Sequence, residues 1–189
     1  PPMAASKVQA LLEKKAPWIL KKLKECPPPP QLRDDSFYLM GEKHTLRLEE
    51  PHKDQESQVF LKGKTLYIHA PINAQNDFLM AFLKKEAIQF IEGRLEDWAD
   101  EIGLYPKKVR YKKLRSRYGS CSSLGSINLN YLMIQLPVPI IDSILVHELA
   151  HLKHLNHSAD FWQLVYKYMP NTKELDHDLK YFWQSRLLF

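Results

Sequence analysis

Residues 146–162 read VHELAHLKHLNHSADFW, and they place four histidines, a glutamate and an aspartate beside a strongly apolar run. His147 and His151 bracket the pattern H-E-x-x-H. Positions four apart on a helix lie one turn apart on the same face, so the two imidazoles can bind one ion. The sequence around them is apolar almost all round a helix, where unpaired polar groups are unfavourable to bury. The stretch therefore predicts a metal site on a buried helix.

A third ligand is needed, because a catalytic zinc ion usually has three protein ligands and one open position. His154 lies on the same face of a straight helix as the first histidine, but about 10 Å along the axis, which is too far to share one ion. His157 is better placed if Asn156 adopts the left-handed conformation that ends a helix and Ser158 caps the next one. An acidic ligand further along the chain, Glu174, is the alternative.

Glu148 is the candidate catalytic residue, because it follows the first ligand directly in the sequence. In that position it takes a proton from a water on the metal and passes it to the leaving group. Three imidazoles favour one zinc ion per chain, although nickel, cobalt or manganese can take the same ligands. We therefore predict a zinc-dependent hydrolase with His147, His151 and His157 as ligands and Glu148 as the general base.

Length and composition favour one domain. The 189 residues divide into an N-terminal helix with β-hairpins over residues 1–75 and a catalytic core over residues 76–189. Charged residues make up 26% of the chain, and no apolar run approaches the roughly 20 residues of a membrane span. Cys26 and Cys121 lie far apart, which is typical of free thiols in a reducing compartment. We therefore expect a cytoplasmic protein without a membrane segment.

Hydrophobic periodicity and turn residues predict the elements along the chain. The longest helix is expected over residues 75–102, capped by Asn76 or Asp77 and ended by Gly103. Pro137 and Pro139 open the helix that carries H-E-x-x-H. The other predicted elements are a helix over residues 5–25, hairpins over 37–49 and 57–70, strands over 109–114 and 127–134, and helices over 159–168 and 174–187.

The stretch over residues 115–162 resembles the YgjP-like metallopeptidase family, which is related to SprT-type and WLM zincins. The residues that carry the resemblance are an aromatic residue before G-S-C, then I-N-L-N, V-H-E-L-A-H and N-H-S-A-D-F-W. It continues more loosely through most of the chain, including APWILKKLKE at residues 16–25. Tyr118 stands where this family usually has tryptophan.

The resemblance implies an α+β, zincin-like fold, with a small mixed β-sheet packed on helices and an active-site helix that carries H-E-x-x-H. The family's metal ligands carry onto His147, His151 and His157, and its catalytic acid carries onto Glu148. The family also usually begins with another strand or two, so we expect native strands before Pro1.

Substrate contacts are expected from two stretches beside the metal. Residues 127–131, with Asn128 and Asn130, are predicted to be an edge strand that aligns an extended peptide, or else an ordinary core strand. Arg115 and Arg117 can bind a phosphate or carboxylate, or else lie on a solvated basic strand. Tyr118 can donate to an oxyanion or pack in the core. Cys121 is read as a small buried residue in preference to a reactive thiol.

Four functions fit these residues, and a metallopeptidase is the leading one. The second is a metal-dependent nucleoside triphosphate phosphohydrolase or pyrophosphatase. In that case the phosphates of the nucleotide substrate contact residues 115–123, although no Gly-rich P-loop is visible in the sequence. The third is a DNA-associated SprT-type protease, in which residues 107–117 of this chain of net charge +5 contact DNA. The fourth is a structural zinc protein, which Glu148 argues against. The expected partner is thus a peptide, protein or nucleotide substrate, with nucleic acid as an open possibility.

Overall fold

A computed structural model describes residues 9, 13–17, 36–51, 55–114 and 116–184, with side chains up to residue 180. Residues 9 and 13–17 are helical. The rest of the helix predicted over residues 5–25 lies outside the described residues, as do Cys26 and Arg115.

The first sheet contains the two predicted hairpins. The hairpins are β1 (Ser36–Leu39) with β2 (Glu42–Glu49), and β3 (Gln58–Lys62) with β4 (Thr65–His69). Both hairpins are antiparallel, and β2 pairs with β4 in parallel to give the order β1-β2-β4-β3. Alternate residues of β4 are buried, so one face of the sheet packs on the core.

Helix α1 spans Gln75–Ile102 and is the longest element of the described chain. Its buried stripe repeats every four residues, and its members are Leu79, Leu83, Ala87, Ile91, Leu95 and Ala99. Gly103 ends the helix as predicted, with φ 74° and its N–H donating to the Ala99 carbonyl. The predicted cap is wrong, because the N-cap is Ala74 and no side chain caps it. Asp77 lies instead in the first turn, where its charge favours the helix dipole.

The second sheet has three strands, β5 (Lys108–Lys112), β6 (Gly119–Cys121) and β7 (Ser126–Asn130), in the order β5-β7-β6. β7 is parallel to β5 and antiparallel to β6. The strand predicted over residues 127–134 is too long, because a 3-10 helix at Tyr131–Gln135 follows Asn130. The Asn130 side chain accepts from the Leu132 N–H at 3.2 Å and caps that helix, which turns the chain out of the sheet.

Three helices complete the core: α2 (Val138–Ala150), α3 (Ala159–Tyr168) and α4 (Thr172–Gln184). α2 contacts α1, α3, α4 and strand β6, which explains why its sequence is apolar on nearly every face. The predicted α+β fold, with small mixed sheets packed on helices and H-E-x-x-H on a buried helix, is confirmed. Among the described residues, no helix has the length and apolar character to cross a bilayer.

Candidate metal and active site

The end of α2 differs from the sequence prediction. The helix ends at Ala150, so His154 is not on it, and a turn over residues 151–153 follows. The N–H groups of Lys153 and His154 both donate to the Ala150 carbonyl. Asn156 is not left-handed, because Met40 is the one non-glycine residue of the described chain with positive φ. Backbone bonds at the C-terminus of α2 thus redirect the chain without a left-handed residue.

The three predicted histidine ligands meet in space. The Nε2 atom of His147 lies 3.2 Å from Nε2 of His151 and 3.1 Å from Nε2 of His157. Ligands about 2.05 Å from a tetrahedral zinc ion would be about 3.3 Å apart, so the observed separations fit one shared ion. Among the described residues, these three are the group of histidine, cysteine and acidic side chains that could hold a metal. Glu174, the alternative ligand, is exposed and outside this group.

The tautomer of His151 is set by a contact behind the cluster. Its Nδ1 lies 2.9 Å from the His154 carbonyl oxygen, which can only accept. Nδ1 therefore carries the proton, and the lone pair of Nε2 faces the other two rings. Burial, then the charges of His151 and His157, lower the pKa of His147 to about 4. A neutral imidazole with a free lone pair is the form that binds a metal, so the cluster fits one.

Glu148 lies beside the cluster as a buried carboxylate. It is 6% exposed, and its Oε2 atom has no hydrogen-bond partner among the described residues. Burial raises the pKa of Glu148 to about 7, an effect that the charge of Arg117 opposes. A buried carboxylate of this kind can hold or release a proton near neutral pH.

A cleft of about 260 Å³ opens onto Glu148 and His147. It lies between α2, α4 and the chain that enters β6, and its other lining residues are Arg117, Tyr118, Gly119, Ser143, Ile144, Thr172, Asp176 and Leu179. Arg117 and Tyr118, two of the residues predicted to contact substrate, therefore line this cleft. Tyr118 is buried, and burial raises the pKa of its hydroxyl. Arg115, the third predicted residue of this stretch, lies outside the described residues.

The predicted edge strand is wrong. Residues 127–131 include β7, which is the central strand, and β6 is the edge strand beside α2. Asn130 is fully buried, and its amide donates to the carbonyls of Leu114 and Arg117. Asn128 donates to Ser120 Oγ and, like Asn130, does not line the cleft. Asn130 therefore bonds the backbone that leads into β6, and Asn128 bonds a side chain of β6, while substrate contact by either asparagine stays a prediction.

Three further residues lie at the site, although their places there were not predicted from the sequence. Gly119 has no room for a side chain, because a Cβ atom would lie 2.5 Å from Glu148 Oε1. Phe161 is fully buried, and its ring centroid lies 4.5–4.9 Å from those of all three histidines. Asp176 lines the cleft from α4. Two sequence features could have pointed to the first two of these residues: the glycine of Y-G-S-C for Gly119, and the aromatic pair after N-H-S for Phe161.

Cys121 does not have the surroundings of a reactive thiol. It is half-buried in β6, and its Sγ atom contacts the Ser122 carbonyl at 3.5 Å. Burial and the nearby charge of Glu148 raise the pKa of the thiol. A raised pKa reduces the thiolate fraction, so the structure favours the reading as a small packed residue.

A carboxylate and two histidines on a buried helix, with a third histidine from the next loop, form the arrangement of a metal-dependent hydrolase. The sequence profile of the family described as YgjP-like, metallopeptidase domain matches residues 1–182. The chain therefore belongs to the YgjP-like metallopeptidase family, whose members are hydrolases with a catalytic metal.

Two solved structures are similar to parts of the chain. The metallopeptidase zymogen abylysin of Pyrococcus abyssi is 31% identical, and the match covers 52% of this chain and 99% of that one with a TM-score of 0.47. The metallopeptidase zymogen jannalysin of Methanocaldococcus jannaschii is 18% identical, with 47% and 92% covered and a TM-score of 0.43. Comparison with curated proteins gives no match.

Proposed function

We propose that this chain is a zinc-dependent peptidase in which His147, His151 and His157 bind the metal and Glu148 is the general base. The observation that carries the proposal is that Nε2 of His147 lies 3.1–3.2 Å from Nε2 of both His151 and His157, next to a buried carboxylate whose Oε2 has no hydrogen-bond partner among the described residues. Isolated lone pairs that face each other repel, and one shared cation removes that repulsion.

In this proposal, Glu148 moves a proton between water and a leaving amine. A bound zinc ion would supply Lewis acidity to the scissile carbonyl and would lower the pKa of water in its open position. The low polarity around Glu148, which raises its pKa to about 7, lets Oε2 take up a proton and release it again near neutral pH. The charge of Arg117 limits this rise in the pKa of Glu148.

Strand β6 is the proposed contact for the substrate backbone. It pairs with β7 on one side, and its other edge has no strand partner among the described residues. An extended peptide can add to such an edge by main-chain hydrogen bonds. Gly119, at the start of β6, lies against Glu148 without an intervening side chain. A peptide on this edge would therefore run past the general base.

The other functions considered from the sequence have less support. Among the described residues, Arg117 is the basic side chain that lines the cleft, and Asp176 in the same cleft would repel a polyphosphate. We also propose that the whole chain is one catalytic domain. A cytoplasmic location is a further proposal, which the free thiol of Cys121 supports. Peptide hydrolysis is the activity that family membership supports.

The test is metal content and hydrolysis measured together for the wild type and Glu148→Gln, with unfolded proteins and nucleoside triphosphates as substrates. We expect about one zinc per chain in both proteins, and a loss of peptide cleavage of about 10²–10⁴-fold in the variant, the usual contribution of a general base. Glu174→Gln is the matched control, because its carboxylate is exposed and outside the cluster. It should leave both quantities unchanged.

Three outcomes would contradict the proposal. Full turnover in Glu148→Gln would remove the assigned base. Glu148-dependent release of phosphate or pyrophosphate without proteolysis would indicate the phosphohydrolase. Cleavage that requires DNA and falls steeply with salt would indicate the DNA-associated protease.

A further inference from the structure

The third histidine of the cluster is held differently from the other two. His147 lies within α2 and His151 at its end, and both are half-buried. His157 is exposed and lies outside any helix or strand, between the turn that follows α2 and the start of α3. An exposed side chain on a loop has rotamer freedom, so something other than a helix backbone must hold its ring toward the cluster.

An aromatic stack supplies that contact. The imidazole of His157 and the indole of Trp162 have centroids 5.7 Å apart and planes 27° apart, which is an offset stack. The ring of Tyr166 stacks in turn on Trp162, with centroids 5.6 Å apart and planes at 23°. Phe161 meets the same imidazole edge-to-face at 4.8 Å. His157 is thus fixed by two adjacent residues of α3.

The start of α3 explains why these rings meet. Ser158 is the N-cap, and its Oγ atom accepts from the Phe161 N–H at 3.4 Å. His157 is then the residue before the cap, and Trp162 is the fourth residue of the helix. These are the two positions that pack against each other in a hydrophobic staple and fix the angle at which the chain enters a helix. Here one member of the staple is a candidate metal ligand.

We propose that Trp162 is a positioning residue for the metal centre, and that its stack on His157 holds the imidazole toward His147 before a metal binds. The inference rests on the proposed role of His157 as a ligand. A ligand already in place loses less rotamer freedom on binding, so the affinity for the metal rises. The separation of 3.1 Å between Nε2 of His157 and Nε2 of His147 is the arrangement that the stack maintains.

The experiment compares zinc affinity, by competition with a chromophoric chelator, in the wild type and in Trp162→Leu, Trp162→Phe and Tyr166→Leu. We expect Trp162→Leu to bind zinc about 10–100-fold more weakly, the usual effect of losing a residue that orients a ligand. Trp162→Phe keeps an aromatic face and should restore most of the affinity. Tyr166→Leu is the matched control, because the ring of Tyr166 contacts Trp162 but, among the described residues, has no ring contact with His157, so we expect little change in zinc affinity. Wild-type affinity in Trp162→Leu would overturn the proposal.

His157→Ala separates this inference from the proposed function. If His157→Ala binds zinc as tightly as the wild type, then His157 is not a ligand and the proposed metal centre is wrong. If His157→Ala binds weakly while Trp162→Leu binds normally, then the positioning inference alone is wrong. Cobalt absorption spectra add a readout other than activity, because loss of an oriented imidazole changes the coordination geometry that the spectrum reports.

A measurement on the wild type covers the case in which Trp162→Leu does not fold. In the metal-free protein, the ring protons of His157 should give one set of NMR signals shifted by the indole ring current, because the proposed stack on Trp162 forms before a metal binds. Signals at the positions of an unstructured histidine would overturn the proposal. A fixed ring in the metal-free wild type, together with normal zinc affinity in Trp162→Phe, would support it.

Discussion

At the scale of single residues, Gly119 determines how closely the sheet approaches Glu148, the proposed general base. A Cβ atom at this position would lie 2.5 Å from Glu148 Oε1 and 2.6 Å from its Cδ. In Gly119→Ala the carboxylate must therefore move, and a displacement near 1 Å in a catalytic group can cost about 10²-fold in rate. We expect kcat for peptide cleavage to fall by about that factor while zinc content stays at about one per chain. Steady-state kinetics and metal analysis check this.

Gly93→Ala is the matched control for that substitution. Gly93 is exposed within α1, and apart from its chain neighbours and the backbone of its own helix, no described atom lies within 4 Å of the added Cβ. Alanine is the better helix former, so we expect unchanged activity and a gain in stability of about 0.5–1 kcal/mol. If Gly119→Ala were as active as Gly93→Ala, the close contact between β6 and Glu148 would have no catalytic importance.

At the scale of elements, an ion pair joins α1 to α2, the helix that carries H-E-x-x-H. Arg94 of α1 donates through Nε to Asp142 Oδ1 at 2.9 Å and through Nη2 to Oδ2, in the bidentate arrangement. Asp142 is buried and Arg94 is about one-third exposed. We expect Asp142→Ala to lower the free energy of unfolding by about 2 kcal/mol, less than for a fully buried pair because water reaches the guanidinium. Urea denaturation at neutral pH measures the change.

Asp97→Ala provides the comparison on the same arginine. Asp97 Oδ2 lies 3.7 Å from Arg94 Nη1, but its side chain is 73% exposed. Exposed pairs contribute little, so the loss should stay within about 0.5 kcal/mol. Equal losses in the two variants would show that the connection between α1 and α2 does not depend on the Asp142 pair.

The elements also show which features the sequence could predict. Helix α1 and the two hairpins follow from periodicity and turns, and Gly103 and Ser158 lie at helix ends as predicted. The segment at Tyr131–Gln135 was misread because all five residues are buried, so no alternation separates a strand from a 3-10 helix. β6 has three residues, which is too short for a pattern. Whether a strand lies at the edge or in the centre depends on how the whole sheet is ordered, which one strand's sequence does not show. The prediction that β7 is an edge strand was therefore wrong.

At the scale of the whole molecule, the candidate ligands join separate parts of the fold. His147 and His151 belong to α2, whereas His157 precedes α3, and the intervening loop is held by short-range contacts. The H-E-x-x-H spacing placed the first two ligands from the sequence alone, but the third depends on how this loop turns. Its turn at residues 151–153 differs from the one predicted, although His157 still reaches the cluster.

A metal that binds all three residues should therefore stabilise the folded chain against heat. At a free zinc concentration 100-fold above Kd, binding adds about 2.7 kcal/mol, which for a chain of this length raises Tm by about 5–10 °C. Calorimetry with and without a chelator measures the shift. His157→Ala should remove most of it, because one ligand is lost. His154→Ala should retain it, since His154 contributes its backbone carbonyl to His151 and its side chain is outside the cluster. If both variants kept the full shift in Tm, zinc would be bound elsewhere. It would then not connect α2 to the residue that precedes α3.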